Sequence, residues 1–78
     1  MARYRKKPVV IEAQQFFFNH VPWPAGVEKV CREGLPFVKT LEGPLLVRDA
    51  DWIITGIKGE RYPCKPDIFD ATYEKVEE

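Results

Sequence analysis

The sequence predicts a small α+β domain: an antiparallel β roll or partly open barrel of about six strands, with one short helix packed on the sheet. Short runs of β-branched and aromatic residues recur along the chain and are separated by turn residues. Only one segment carries apolar residues at helical spacing. The chain has 78 residues, so we expect a single domain over residues 1–78.

Residues 9–17 are predicted to form the first strand. Val9, Ile11 and Ala13 alternate with other residues and would share one face. Three consecutive phenylalanines exceed this alternation, so the end of the strand should be wedged between other elements. The basic lead-in at residues 4–8 could contact phosphate, but it is more simply a solvated strand end.

The one helix is predicted over residues 25–33. Pro24 stands where a helix begins, because the first turn needs no N–H donor. Val27, Val30 and Cys31 recur at helical spacing and would lie on the sheet. A helix of about two to three turns does not hold alone in water, so this packing would be required.

Two hairpins are predicted to follow the helix. Residues 37–40 and 45–48 would form the first hairpin around a turn at Glu42-Gly43. Asp49 and Asp51 would then form a turn in which their carboxylates bond nearby backbone N–H groups.

The second hairpin is predicted to be the centre of the domain. Residues 52–57 place large apolar groups on both faces, so this strand should be central and covered on both sides. A two-residue turn at Lys58-Gly59 would set Thr55 opposite Tyr62. Gly56 interrupts the apolar pattern and should mark a bulge or a close approach of another segment.

The C-terminal part predicts a helical turn and a last strand. Pro66 should start the helical turn over residues 67–69. Residues 71–76 should form the last strand and lie beside the first strand, which would shorten the exposed sheet edges.

Composition limits the classes of function. Twelve basic and twelve acidic residues give a net charge of zero, which argues against general nucleic-acid binding. No apolar run can span a bilayer, and no signal peptide is recognised, so we expect a cytoplasmic protein without membrane contact. Both cysteines would then be reduced.

Several stretches carry a family resemblance: YRKKPVVIEA at 4–13, TLEG at 40–43, DWII at 51–54, KGE at 58–60, YPCKPDIF at 62–69 and ATYE at 71–74. Together they resemble a family of short proteins of tailed bacteriophages and prophages. The C-terminal half also resembles the domain class named for a Pro-Gly-Asp-Tyr-Gly motif, with Ala50 where glycine is usual. The family has no established activity, so the resemblance implies a phage gene product acting in the bacterial cytoplasm.

Catalytic and metal-binding interpretations centre on His20, Cys31 and Cys64. A thiol could act as nucleophile with a histidine base, and Lys65 could lower the pKa of the Cys64 thiol. Structural zinc usually needs closely spaced ligands such as Cys-x-x-Cys, which this chain lacks. A buried Cys31 and a loop histidine are simpler interpretations. We therefore predict no enzyme, no metal and no cofactor.

Carboxylates at turns offer a further catalytic interpretation. Asp49, Asp51, Glu60 and Asp67 could converge as acid and base. Each follows or ends a predicted strand or turn, where bonding to backbone N–H groups is the common role, and that role is favoured here.

Two non-enzymatic functions remain, and the favoured one is a phage accessory protein that binds a host or phage protein. Its apolar anchor would come from the segment that follows the first strand. The proposed anchor residues are Phe17, Phe18, Trp23 and Pro24, flanked by Phe16 and Val21.

The alternative function is a sponge for a small nucleotide-like host signal. Basic groups would bind phosphate while an aromatic ring, best Tyr62, stacks on the base. The proposed residues are Lys58, Arg61, Tyr62 and Lys65. A structural component of the virion is a weaker alternative. The composition is also compatible with a homodimer.

Overall fold

The computed structural model describes residues 1–5, 7–29 and 34–76. Within them the chain forms six strands and one helix. The elements are β1 (Glu12–Gln15), β2 (Val27–Lys29), β3 (Pro36–Thr40), β4 (Gly43–Leu46), β5 (Trp52–Thr55), β6 (Arg61–Cys64) and α1 (Pro66–Thr72). The predicted α+β class with one short helix is confirmed.

The strands form two antiparallel sheets of three strands. Sheet 1 has the order β1-β5-β6 and sheet 2 has the order β2-β3-β4. Strand β6 lies against β3 and β4, which brings the two sheets together. The described strands do not close into a barrel. Strand β5 is the middle strand of sheet 1, as the sequence predicts.

The core lies between the two sheets. Its buried residues are Phe16, Val38, Val47 and Ile53, with Trp23 and Val27 packed against them. Ile54 is also buried but points to the other face of sheet 1, because successive side chains of a strand alternate. Strand β5 therefore buries apolar groups on both faces, as predicted.

The first hairpin is confirmed, with its turn one residue earlier than predicted. Thr40 of β3 pairs with Gly43 of β4, so the turn residues are Leu41 and Glu42. The Thr40 hydroxyl donates to the Gly43 carbonyl oxygen at 2.6 Å and accepts the Glu42 N–H at 3.1 Å. The side chain of Thr40 thus closes the turn at Leu41 and Glu42.

The register of the central hairpin differs from the prediction. Thr55 pairs with Arg61 and Ile54 pairs with Tyr62, so the predicted pairing of Thr55 with Tyr62 is wrong by one residue. A one-residue shift moves side chains to the opposite face of the sheet. Tyr62 consequently lies on the face that carries Trp52 and Ile54.

A longer turn causes this shift in register. The Gly56 N–H donates to the Glu60 carbonyl oxygen at 2.7 Å, and the Gly59 N–H donates to the Gly56 carbonyl oxygen at 3.0 Å. The Glu60 carboxylate accepts the Lys58 N–H at 3.0 Å and lies against Gly56, where a Cβ would collide with it. The close approach at Gly56 thus comes from Glu60 of the same turn and not, as the sequence predicted, from another segment.

The predicted helix over residues 25–33 is wrong where the structure describes it. Val27–Lys29 is strand β2, which pairs with β3. Gly26 has a φ of 94°, which a right-handed helix cannot contain. Strand β3 also pairs with the backbone N–H and carbonyl groups of β2. A short helix would leave many of these groups unpaired at its two ends. Val30 and Cys31 of the predicted stripe lie outside the described residues.

The predicted last strand is also wrong. Ala71 and Thr72 continue α1, residues 73–76 form no strand, and β1 pairs with β5 instead. The helix start at Pro66 is confirmed. Phe69 of α1 stacks on Trp52, with ring centroids 4.2 Å apart and planes 7° apart. This aromatic contact holds the helix on sheet 1, so the chain is not free to continue as a strand.

The first strand is shorter than predicted. Strand β1 spans Glu12–Gln15 rather than residues 9–17, because its partner β5 offers only four paired residues. The wedged end is confirmed: Phe16 follows β1 directly and has no exposed surface.

Replacing Trp52 with Ala tests the contact that holds α1. We expect the free energy of unfolding to fall by about 3 kcal/mol, because the ring is lost from both the sheet and the Phe69 stack. Urea unfolding followed by circular dichroism measures this change. Ile57→Ala is the matched control, since Ile57 is 72% exposed and should shift stability by less than about 0.5 kcal/mol. Equal losses in both variants would contradict the assignment.

Candidate functional site

A tight turn from Arg48 to Asp51 organises the surface that the sequence singles out. The Asp51 N–H donates to the Arg48 carbonyl oxygen at 3.0 Å, and the Asp51 carboxylate accepts the Arg48 N–H at 2.9 Å. Ala50, the third residue of the turn, has a φ of 73°. Turns that need a positive φ at this position normally use glycine there.

This turn holds the segment Phe16–Trp23, which we call the aromatic loop. The Phe16 N–H donates to the Asp51 carbonyl oxygen and the Ala50 N–H to the Phe16 carbonyl oxygen, both at 2.7 Å. The Phe18 N–H donates to the Asp49 carboxylate, also at 2.7 Å. The start of the aromatic loop is therefore fixed by three short hydrogen bonds.

Asp51 is itself buried, with 2% of its surface exposed. Besides the Arg48 N–H, its carboxylate receives the Lys65 ammonium, whose Nζ lies 3.5 Å from both carboxylate oxygens. A buried carboxylate is tolerated only when such partners replace the lost water. Sequence reasoning assigned Asp51 to the turn but missed that Lys65 pairs with it.

The aromatic loop exposes apolar side chains over a supported base. Phe17 is 42% exposed, Phe18 is 45% exposed and Val21 is 75% exposed. Trp23 lies beneath them: its ring meets the buried Phe16 edge-on at 5.2 Å and Phe18 at 5.6 Å. The Trp23 Nε1–H donates to the Phe18 carbonyl oxygen at 3.1 Å. The loop thus presents a preformed apolar surface.

The four predicted anchor residues have different positions in this surface. Phe17 and Phe18 are exposed, Trp23 is half-buried, and Pro24 is buried. Pro24 therefore supports the aromatic loop from below and offers no surface to a partner. Val21, which the sequence placed beside the anchor, is the most exposed apolar residue of the aromatic loop.

The basic and aromatic residues proposed for a nucleotide-like ligand do not converge. Arg61 and Tyr62 are neighbours in β6, so their side chains point to opposite faces of sheet 1. Arg61 borders two shallow grooves of about 330 and 230 Å³, which Lys58, Tyr62 and Lys65 do not line. Lys65 is instead engaged with Asp51. These four side chains do not form one concave site.

Tyr62 is part of an internal aromatic group rather than an open stacking surface. Burial, a hydrogen bond with Tyr73 and the nearby charges of Tyr73, Glu60 and Cys64 together raise its pKa to about 12, with burial the largest cause. Tyr73 packs on Phe69 at 5.1 Å between ring centroids, and Phe69 in turn covers Trp52. Tyr62 is therefore joined through Tyr73 to the stacked rings of Phe69 and Trp52.

The Cys64 thiol is not activated. Burial raises its pKa, and the Asp51 and Asp67 carboxylates raise it further. The expectation that Lys65 lowers this pKa is wrong, because the Lys65 ammonium is paired with Asp51. The thiol instead donates a long hydrogen bond of 3.7 Å to the Lys65 carbonyl oxygen. His20 is exposed in the aromatic loop.

The side chains capable of binding metal are dispersed. Within residues 1–5, 7–29 and 34–76, no group of three or more His, Cys, Asp or Glu side chains is placed to hold a metal ion. Cys31 lies outside that part of the chain. The capping interpretation is confirmed for Asp51 and Glu60, which accept backbone N–H groups of their own turns. It is wrong for Asp49, whose carboxylate accepts the N–H of Phe18 in a distant segment. Asp67 lies in the first turn of α1.

The chain matches no family model, no curated protein and no solved structure. Among the described residues, no helix has the length and apolar character needed to cross a membrane.

Replacing Ala50 with Gly tests the strain in the turn that holds the aromatic loop. A left-handed φ costs a residue with a Cβ about 1–2 kcal/mol, while the added freedom of glycine in the unfolded chain costs about 0.4–1 kcal/mol. We expect unfolding free energy to stay level or rise by about 1 kcal/mol in urea unfolding. Ala25→Gly, at an exposed position without a positive φ, should only lose stability. An equal loss in both variants would exclude strain at Ala50.

The raised pKa of Cys64 predicts slow alkylation. At a given pH a higher pKa leaves less thiolate, which is the reactive form. In a Cys31→Ser background, we expect iodoacetamide to react several-fold more slowly with the folded chain than with the urea-unfolded chain at pH 7.5. The rate should also rise toward its plateau at a higher pH in the folded chain. Faster reaction of the folded chain would show an activated thiol.

Proposed function

We propose that this chain is a non-enzymatic protein-binding module whose contact surface is the aromatic loop. We further propose that it is an accessory protein of a tailed bacteriophage or prophage that binds a host or phage protein in the bacterial cytoplasm. The biological setting rests on the resemblance of the sequence, and the mode of action rests on the exposed apolar surface.

The observation that carries the proposal is the exposure of Phe17, Phe18 and Val21 on a loop that is fixed from beneath. Aromatic side chains are frequent at the energetic centres of protein interfaces. Their burial against a partner would release water from apolar surface, which is the main favourable term in association. The exposed side chains thus have a clear physical use in binding.

Rigidity of the aromatic loop strengthens this argument. The N–H groups of Phe18 and Phe16 donate to the Asp49 carboxylate and the Asp51 carbonyl oxygen, and Trp23 packs beneath. These contacts order the loop before a partner binds. Ordering a mobile loop upon binding costs free energy, and a preformed loop avoids that cost. Burying a large apolar side chain contributes about 1.5–3 kcal/mol. Because Phe18 is already about half covered, it retains about 1 kcal/mol for a partner.

The arrangement of Lys58, Arg61, Tyr62 and Lys65 favours protein binding over a nucleotide-like ligand. A pocket for a small ligand concentrates a few polar groups around one concavity. Here Arg61 and Tyr62 point to opposite faces, and Lys65 is neutralised by the buried Asp51. The function as a sponge would need a site built from other residues.

The test uses the chain immobilised on a resin and exposed to lysate of a bacterium that carries the phage. We expect the wild type to retain a specific protein that Phe18→Ser/Val21→Ser loses. Leu41→Ser is the matched control, because Leu41 is 89% exposed but lies in the β3–β4 turn, and it should retain the protein. With the purified partner, the double variant should bind at least about tenfold more weakly by calorimetry.

Other results would overturn the proposal. Retention of the same protein by the double variant would exclude the aromatic loop as the contact surface. A small molecule that native mass spectrometry finds on the folded chain, and that is lost on denaturation, would support the sponge. Co-purification of the chain with intact virions in fixed stoichiometry would support a structural role.

A further inference from the structure

The net charge of zero hides two strongly charged segments of opposite sign. Residues 1–11, which we call the N-terminal arm, contain four basic and no acidic residues, a net charge of +4. Residues 66–78 contain five acidic residues and one basic residue, a net charge of −4. The two ends of the sequence are therefore complementary in charge.

The described residues of the N-terminal arm that precede Ile11 are not packed on the domain. Residues 1–5 and 7–10 are exposed, including Tyr4 at 94% and Val10 at 74%. The molecule measures 50 × 31 × 22 Å and has a radius of gyration of 14.1 Å. A compact domain of this length has a radius of about 11.5 Å. The larger observed radius of gyration is consistent with an N-terminal arm that extends away from the folded domain.

Helix α1 presents an uncovered acidic surface. Asp67 and Asp70 are three residues apart and lie on one side of the helix. Ile68 projects about 100° around the helix from Asp67, and Glu74 follows the end of the helix at Thr72. Ile68 is 55% exposed, and Asp67, Asp70 and Glu74 are all exposed. We call these four residues the acidic face. The opposite side of α1 carries Phe69, which faces Trp52.

We propose that two copies of this chain bind each other by exchanging N-terminal arms, with each arm lying on the acidic face of the partner copy. Arg3, Arg5 and Lys7 supply the cations, and Tyr4 supplies an apolar ring for Ile68. No ion pair joins these cations or the acidic face to another residue in the part of the chain that the structure describes. Their charges are thus available for a contact between copies.

A second copy fits this surface better than other occupants. It carries the same arm and the same acidic face, so one two-fold axis satisfies both contacts at once. Eleven extended residues reach about 36 Å, which exceeds the 31 and 22 Å widths of the molecule. A nucleic acid would attract the arm but would be repelled by the acidic face, so it leaves half of the complementarity unused.

The experiment is a charge exchange followed by sedimentation velocity. We expect the wild type to sediment at twice the 9.1 kDa mass of the chain and to dissociate more readily at high salt. The arm variant is Arg3→Glu/Arg5→Glu/Lys7→Glu, and the face variant is Asp67→Lys/Asp70→Lys/Glu74→Lys. Each alone should be monomeric, because its arm and face then carry the same sign. An equimolar mixture should restore a dimer, because both contacts regain opposite charges.

Controls separate this result from loss of folding. Circular dichroism should show both charge variants folded, and deletion of residues 1–8, which leaves the core intact, should also give a monomer. Glu42→Lys/Lys58→Glu alters exposed charges elsewhere and should leave the dimer unchanged. Phe18→Ser/Val21→Ser should still dimerise, so failure of arm exchange is distinguishable from failure of partner binding through the aromatic loop.

Three results would overturn arm exchange. These are a wild type that stays at 9.1 kDa up to 100 µM protein, charge variants that dimerise like the wild type, and a mixture that fails to restore the dimer. A monomeric wild type that binds a DNA duplex through the arm would assign the arm to nucleic acid instead.

Discussion

The buried carboxylate of Asp51 is the interaction on which most of this structure depends. It accepts the Arg48 N–H and the Lys65 ammonium, so it joins the turn before β5 to the start of α1. A buried carboxylate without these partners would be strongly unfavourable, and their loss would release both segments together. The same turn donates and accepts the backbone bonds of Phe16, which closes the aromatic loop onto sheet 1.

Strand β5 follows this turn and packs against other parts of the domain on both of its faces. Ile53 packs with Phe16 between the sheets, while Trp52 on the other face stacks on Phe69. A chain of this size buries only about 60% of its unfolded surface, so a single strand covered on both sides supplies much of the available core. Phe17 and Phe18 are exposed and lie outside this core. Their exposure is consistent with a role in binding another molecule.

The two proposed surfaces use different physics and lie on different elements. The aromatic loop offers apolar area on a rigid support, which suits a tight contact with another protein. The N-terminal arm and the acidic face offer opposite charges at the surface, which act at longer range and weaken with salt. A neutral total charge is compatible with both, because the charges are separated along the chain and not absent.

Local patterns in the sequence determined much of this protein. Alternation and turn residues predicted the α+β class, both hairpins, the central position of β5, the helix start at Pro66 and the capping roles of Asp51 and Glu60. Only the tertiary structure decided what depends on pairing between distant segments. The spacing of Val27, Val30 and Cys31 fits a helix. Pairing with β3 and the positive φ of Gly26 instead place Val27 in strand β2. The register between β5 and β6, shifted by one residue, decided which face of sheet 1 carries Tyr62. Arg61, its neighbour in β6, then points to the opposite face. The face that a strand residue occupies follows from its pairing and not from its residue type.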